Sequence, residues 1–284
     1  MPKMLAFIDG SIYSDSVCDH VIWAAARDQV DVSLFNVIEG VDYTGVPSNF
    51  SGNLEAEIKN KLLQELSELD QKRSKLTQRK ARLVLDSAKD RLVKSGIKTV
   101  ETHLRNGDFV DTVTEFQDNA NMIVIGKRGE AADFAKMHLG SNLERLIRST
   151  NKPVLVAARS FKPIERILLA FDGGKSSLGA VEHLSSNTIY SDLECHIVIA
   201  GQDGSRGHKE SSSAENLLKK AGMNYKLFFE RGEPEKVISD HVERHRIQLL
   251  VMGAYGHSRI RNLIIGSTTT QMIRSCLVPV LLFR

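Results

Sequence analysis

The sequence predicts an α/β protein of two tandem domains, each a five-stranded parallel sheet with helices on both faces. Two observations carry this expectation. The first is an internal repeat. Met4-Leu-Ala-Phe-Ile-Asp9-Gly10 returns as Ile167-Leu-Leu-Ala-Phe-Asp172-Gly173, and Asp31 to Ile38 returns as Asp192 to Ile199. Asn121 to Gly126 returns as Gln248 to Gly253, Leu139-Gly140-Ser141 as Ile265-Gly266-Ser267, and Lys152-Pro153-Val154-Leu155 as Val278-Pro279-Val280-Leu281. The order is the same both times, which marks two fused copies of one unit. The second observation is the alternation of short apolar runs with helix-patterned stretches. That rhythm builds a parallel sheet through right-handed crossovers.

The elements follow in order. In the first half, apolar runs near 4–8, 31–38, 97–104, 121–126 and 153–158 suit strands buried on both faces. Helices are expected at about 14–28, 53–95, 108–119 and 141–149. The second half places strands near 166–171, 193–200, 224–229, 248–253 and 279–284, with helices near 175–186, 213–221, 233–245 and 267–275. Pro234 suits the first turn of its helix, where no amide hydrogen is needed. The domains are expected at 1–160 and 161–284, meeting near Ser160 to Ile164.

The halves differ between their second and third strands, where the first carries a helical insertion at about 41–95. Leu54, Ile58, Leu62, Leu66 and Leu69 recur at helical spacing. Gln71 to Arg82 holds Lys72, Arg73, Lys75, Arg79, Lys80 and Arg82 and no acid. It reads as a solvated face or a basic arm for a partner. A helix of about 40 residues would be roughly 60 Å long. A break near Ser74 to Thr77, or an overhang onto the other half, is therefore expected.

The chemistry is concentrated at 253–267. Leu249 to Met252 forms an apolar strand that ends in Gly253, and Gly256, Gly266 and Ser267 follow at fixed spacing. A strand ending in glycines admits close backbone approach. Ser267 is placed to cap the next helix, whose first amides attract anions. The pattern is a candidate phosphate cradle, and His257, Arg259 and Arg261 add positive charge. In open parallel sheets such ligands lie beyond the carboxyl ends of the strands, at the switch point.

The spacing Gly-x2-Gly-x9-Gly-Ser, repeated with strand-Asp-Gly and Pro-Val in both halves, resembles the universal stress protein family. The resemblance implies an adenine nucleotide alpha hydrolase-like fold and binding of ATP or another adenine nucleotide, with Mg2+ or Mn2+ as a possible companion. It implies that Asp172 meets the adenosine and that the backbone of Val198 meets adenine. Met252, Gly253, Gly256, Gly266, Ser267 and Thr268 fall on its phosphate and ribose contacts. The first half offers Asp9, Val37, Gly126, Gly129, Gly140 and Ser141, with Lys127 and Arg128 suitable in type. Its loop, however, has ten residues where the second has nine. That half either binds nucleotide too or serves structurally, as one subunit of a homodimer would. The expected function is stress-response regulation through nucleotide binding, mainly in the second domain. A slow hydrolase at the same site, or a nucleotide-free scaffold using the basic insertion, are the alternatives.

Several classes are set aside. Gly173-Gly174-Lys175-Ser176 imitates the end of a P-loop, but position 169 is leucine rather than glycine. Asp240, His241, Glu243 and His245 lack His-Glu-x-x-His spacing, and no metal site is expected. Cys18, Cys195 and Cys276 are too scattered for zinc and read as reduced core or near-surface thiols. No catalytic nucleophile carries a recognisable signature. The net charge of +3 does not argue for nucleic acid. Apolar runs are too short to cross a bilayer, and the N-terminus has no signal-peptide pattern, so a cytoplasmic protein is expected. Its partners are a nucleotide and an unnamed protein, and the chain is a pseudo-dimer within itself, as a monomer or a homodimer.

Overall fold

The computed structural model describes residues 3–39, 56–129, 141–201, 204–254 and 266–284. The first half runs β1 (Lys3–Phe7), α1 (Ser14–Ala25), β2 (Asp31–Ile38), α2 (Ala56–Lys94), β3 (Val100–Asn106), α3 (Phe109–Phe116), β4 (Met122–Gly126), α4 (Ser141–Ser149) and β5 (Val154–Ala157). The second repeats it as β6 (Arg166–Ala170), α5 (Lys175–Ser186), β7 (Glu194–Ala200), α6 (Gly204–Lys220), β8 (Tyr225–Glu230), α7 (Pro234–Arg244), β9 (Leu249–Gly253), α8 (Ser267–Ser275) and β10 (Val280–Phe283). Lys175 opens a helix directly, with no phosphate-wrapping loop before it.

The ten strands of the described residues form one sheet, in the order β3-β2-β1-β4-β5-β10-β9-β6-β7-β8. Within each half every pairing is parallel. The halves meet through a single antiparallel pair, with Leu281 of β10 opposite Leu155 of β5. Each half closes the other's edge strand, which would otherwise present unpaired backbone groups. The chain is thus a two-domain pseudo-dimer on one continuous sheet.

Alternate residues of each strand feed two cores. Met4, Ala6, Leu155, Leu169, Val251 and Leu281 pack on one face under α1, α2, α5 and α6. Leu5, Phe7, Val154, Leu168, Leu250 and Leu282 pack on the other under α3, α4, α7 and α8. Both cores run across the seam. Arg27, just past the end of α1, pairs with Asp192 at 3.5 Å, and Lys127 Nζ donates to the carbonyl of Cys276 at 3.0 Å. Cys18, Cys195 and Cys276 are all buried and unpaired, and burial raises the Cys18 and Cys195 thiols to about 12.

Three expectations need correction. The third strand starts at Val100 rather than 97, because Ile97 belongs to the helix cap before it. Gly96 turns with φ +96° and Ile97 N donates to Leu92 O, so the apolar Ile97 folds back onto α2. The helix expected at 213–221 begins at Gly204, since its polar first turns hide the pattern. And α2 is unbroken over 39 residues. From Lys61 on, it is anchored through its C-terminal part, by Ala81, Leu85, Ala88 and Leu92. From Lys61 to Lys80 every residue but Leu66 and Gln78 is exposed, so the helix overhangs into solvent instead of breaking.

The repeat also shifts at one strand. Phe35 lies opposite Phe7 and its carbonyl accepts from Ile8 N, while Val198 lies opposite Ala170 and accepts from Phe171 N. Phe35, not Val37, is therefore the counterpart of Val198, and Val37 corresponds to Ala200. A slip of two residues keeps the same side chains facing the same core, so side-chain pattern alone does not reveal it.

Candidate functional site

The strand order places a switch point in each half, between β1 and β4 and between β6 and β9. There the chain leaves the two neighbouring strand ends in opposite directions and opens a crevice. In the second half, β6 delivers Asp172 to this edge. Its Oδ1 accepts from Gly174 N at 2.9 Å and from Ser177 Oγ at 2.7 Å. Gly173, at φ +72°, makes the turn that lets the carboxylate fold over the start of α5. Asp172 is exposed at the mouth.

β9 delivers Met252 and Gly253 beside it, with Met252 opposite Ala170. A Cβ on Gly253 would lie 2.8 Å from Ser176 Cβ, so α5 itself occupies the space that the missing side chain leaves. Gly126 is equivalent, with its Cβ position 2.7 Å from Tyr13 Cβ. These glycines let a helix start press against a strand end. The sequence pattern does not distinguish that packing from approach by a ligand.

α8 begins in the same crevice. Gly266 N donates to Ala254 O at 3.1 Å, and Thr269 Oγ1 donates to Gly253 O at 3.0 Å. Gly266, rather than Ser267, occupies the capping position and, having no side chain, makes no capping bond of its own. Ser267 is the first helical residue and is exposed. Thr268 turns aside, donating its hydroxyl to Glu235 Oε1 of α7 at 2.7 Å. The first turn of α8 therefore faces the crevice with amide donors and their positive end of the helix dipole. Val198 lies one strand over, buried, with its carbonyl held by Phe171. Gly256 and His257, like Arg259 and Arg261, lie outside the described residues.

The first half differs at the same place. Asp9 Oδ1 accepts from Ser11 N at 2.9 Å and from Ser14 Oγ at 3.4 Å. A Cβ on Gly129 would lie 3.3 Å from Asp9 Oδ2, so the loop after β4 runs along this carboxylate. A Cβ on Gly10 would lie 3.0 Å from Val84 Cγ2, because α2 leans over the crevice. Lys127 does not point to the site. It is spent on the Cys276 carbonyl across the seam, and burial lowers its pKa. Gly140 lies outside the described residues, and Ser141 is where α4 begins.

Two contributors escaped the sequence reading. Ser177 fixes the Asp172 carboxylate, and Thr269 ties α8 to the end of β9. The signal for each is its place one turn inside a helix that follows a strand-end Asp or Gly.

A sequence model of the universal stress protein family matches twice, over residues 1–158 and 163–284. A universal stress protein of Synechocystis sp. is 36% identical over the full length of both chains. The crystal structure of a universal stress protein from Archaeoglobus fulgidus superposes with TM-score 0.71 at 22% identity, covering 99% of this chain and 98% of that one. A putative universal stress protein from Pseudomonas aeruginosa gives TM-score 0.63 at 16% identity, covering 100% of this chain and 93% of that one. No helix among the described residues is long and apolar enough to cross a membrane. The chain belongs to the universal stress protein family, as a tandem of two family domains.

Proposed function

We propose that the second domain binds ATP or a related adenine nucleotide in the crevice between the ends of β6 and β9. Nucleotide occupancy then governs a protein partner in a cytoplasmic stress response. The observation that carries this reading is the convergence of Asp172, Gly253 and the first turn of α8, whose cap residue Gly266 has no side chain, at one switch point. Donors at the helix start suit phosphate, and the exposed carboxylate at the opposite lip suits ribose or base donors. The first domain is the weaker site, since α2 and the Gly129 loop crowd Asp9 and Gly10.

The test is the small molecule released when the freshly purified chain is denatured, identified by chromatography and mass spectrometry. About one adenine nucleotide per chain is expected, as binding mainly in the second domain implies. Gly266→Val, which puts a branched side chain where α8 opens, is expected to abolish binding and keep the far-UV spectrum. No nucleotide released and none bound on adding ATP with Mg2+, or full affinity in Gly266→Val, would refute the site.

A second reading concerns the overhang of α2. Leu62, Leu69, Leu76 and Leu83 repeat every seven residues and are 37%, 60%, 66% and 62% exposed. That is one seam of a coiled coil. Glu65, Glu68 and Asp70 precede the basic stretch 71–82. Two copies paired antiparallel would set acid against base. Sedimentation should show a dimer that Leu69→Glu with Leu76→Glu abolishes. A monomer at all concentrations would rule the pairing out.

A further inference from the structure

Under α7 lies a cluster that the nucleotide crevice does not use. His196 of β7 is 3% exposed, His241 of α7 is 0% exposed, and His245 caps the C-terminal end of α7, half-buried. His241 and His245 are four residues apart, so they share one helix face. Their rings stack with centroids 4.1 Å apart, and the His196 ring stands 5.2 Å from His241 and 5.1 Å from His245. One ring nitrogen from each lies within 4.8 Å of the other two. Phe228 closes one side, with ring contacts to all three.

The outer nitrogens are oriented by carboxylates. His196 Nε2 donates to Glu194 Oε1 at 2.9 Å, and His241 Nδ1 donates to Glu230 Oε1 at 2.7 Å. Those two bonds fix which nitrogens carry hydrogen. They leave His196 Nδ1 and His241 Nε2 facing each other, lone pair to lone pair, at 2.9 Å. Two acceptors cannot rest at that distance without a cation between them. A proton would satisfy two rings, but a third imidazole stands within 4.8 Å of both and has no part in a two-ring bond. Carboxylate behind histidine is also the arrangement that holds metal-ligating imidazoles in place.

We infer that His196 Nδ1, His241 Nε2 and the His245 imidazole form a binding site for a divalent transition-metal ion such as zinc. Three neutral imidazoles suit this class of ion, and three protein ligands leave the fourth tetrahedral position to water on the His245 side. With metal–nitrogen bonds of about 2.0–2.1 Å, ligand nitrogens stand about 3.4 Å apart. The buried pair needs to open by a few tenths of an ångström, and His245, at the helix end, swings in. Glu194 and Glu230 balance the dication. Their other neighbours are Lys226 at 2.6 Å from Glu194 and Arg244 at 3.5 Å from Glu230.

The internal repeat shows that the scaffold does not require these residues. By strand register His196 corresponds to Ser33, since they face Leu168 and Leu5 respectively. Counting from the helix caps Glu233 and Asp108, His241 corresponds to Phe116 and His245 to Ala120. The first half fills the same space with a hydroxyl, a phenyl ring and a methyl group.

The test uses the full chain after chelator treatment. Zinc is titrated against a chromophoric chelator, and Co2+ is added separately as a spectroscopic probe. One zinc per chain and the intense visible bands of four-coordinate cobalt are expected. His245→Gln, a change at a half-buried ring, should weaken zinc at least tenfold, and Glu230→Gln by about 10–100-fold. His103→Gln in the first half should change nothing. The site is overturned if cobalt keeps the spectrum of its hydrated ion. It is equally overturned if His245→Gln binds zinc as tightly as the parent. Should a variant fail to fold, the cobalt spectrum of the parent still decides.

Discussion

Leu281→Asp is expected to leave no cooperatively folded protein, in either half. Leu281 is fully buried in β10, between β5 of the first domain and β9 of the second. Its side chain points into the core that runs under α1, α2, α5 and α6. An unpaired carboxylate there costs several kcal/mol, on the order of the whole stability of a domain, about 5–15 kcal/mol. Leu281→Ala is the measurable version, with an expected loss of about 2–5 kcal/mol. Trp23, the single tryptophan, makes the experiment informative. It sits in α1 of the first half, whereas the substitution is in the second. If the seam makes the ten strands one unit, denaturant midpoints from Trp23 fluorescence and from far-UV circular dichroism shift together. If Trp23 keeps its original midpoint while the circular dichroism splits, the halves unfold independently and the shared core contributes little coupling.

That seam was not legible in the sequence, although most of what it joins was. Strand existence and order could be read because the inner strands are short runs buried on both faces, bounded by Gly, Asp or Pro, and only the edge strands β3 and β8 are half-exposed. The places of Asp172, Gly253 and Gly266 at strand and helix ends could be read because local composition is informative there. What failed was non-local or degenerate. Nothing in Val154-Leu-Val or Val280-Leu-Leu says that these edges pair with each other, and antiparallel. The two-residue slip that equates Phe35 with Val198 preserves the in-and-out alternation, so Val37 looked equivalent and is not. His196 lies in a strand 45 residues before His241. Only the packing of α7 across β7 and β8 brings them together, and helix spacing alone reported the unremarkable pair His241 and His245. The unbroken α2 was missed for an energetic reason. A helix can overhang if its exposed residues are good helix formers, and Lys, Arg, Gln, Glu and Leu fill most of that stretch.

Gly253→Val separates the two reasons a glycine can end β9. If the missing side chain exists to admit a nucleotide, the substitution blocks binding and leaves the nucleotide-free protein as stable as before. The geometry favours a different result. Gly253 is not in the left-handed region, so valine meets no backbone strain there. The obstacle is space. Its Cβ would sit 2.8 Å from Ser176 Cβ and 3.4 Å from Ser177 N, inside the first turn of α5. Neither contact is the free end of a flexible chain, so α5 has to move. Overpacking of this kind costs about 1–3 kcal/mol. The upper end is expected, because valine adds two methyl groups to a contact that is already too close. The movement carries Ser177 away from Asp172 Oδ1, which loosens the lip of the crevice as well. The expected result is a loss of about 2–3 kcal/mol in denaturant unfolding without nucleotide, accompanied by weaker nucleotide binding. Gly126→Val should behave alike in stability, since its Cβ would meet Tyr13 at 2.7 Å. Unchanged stability in both variants would show that the helix starts yield freely. The glycines would then answer to the ligand alone.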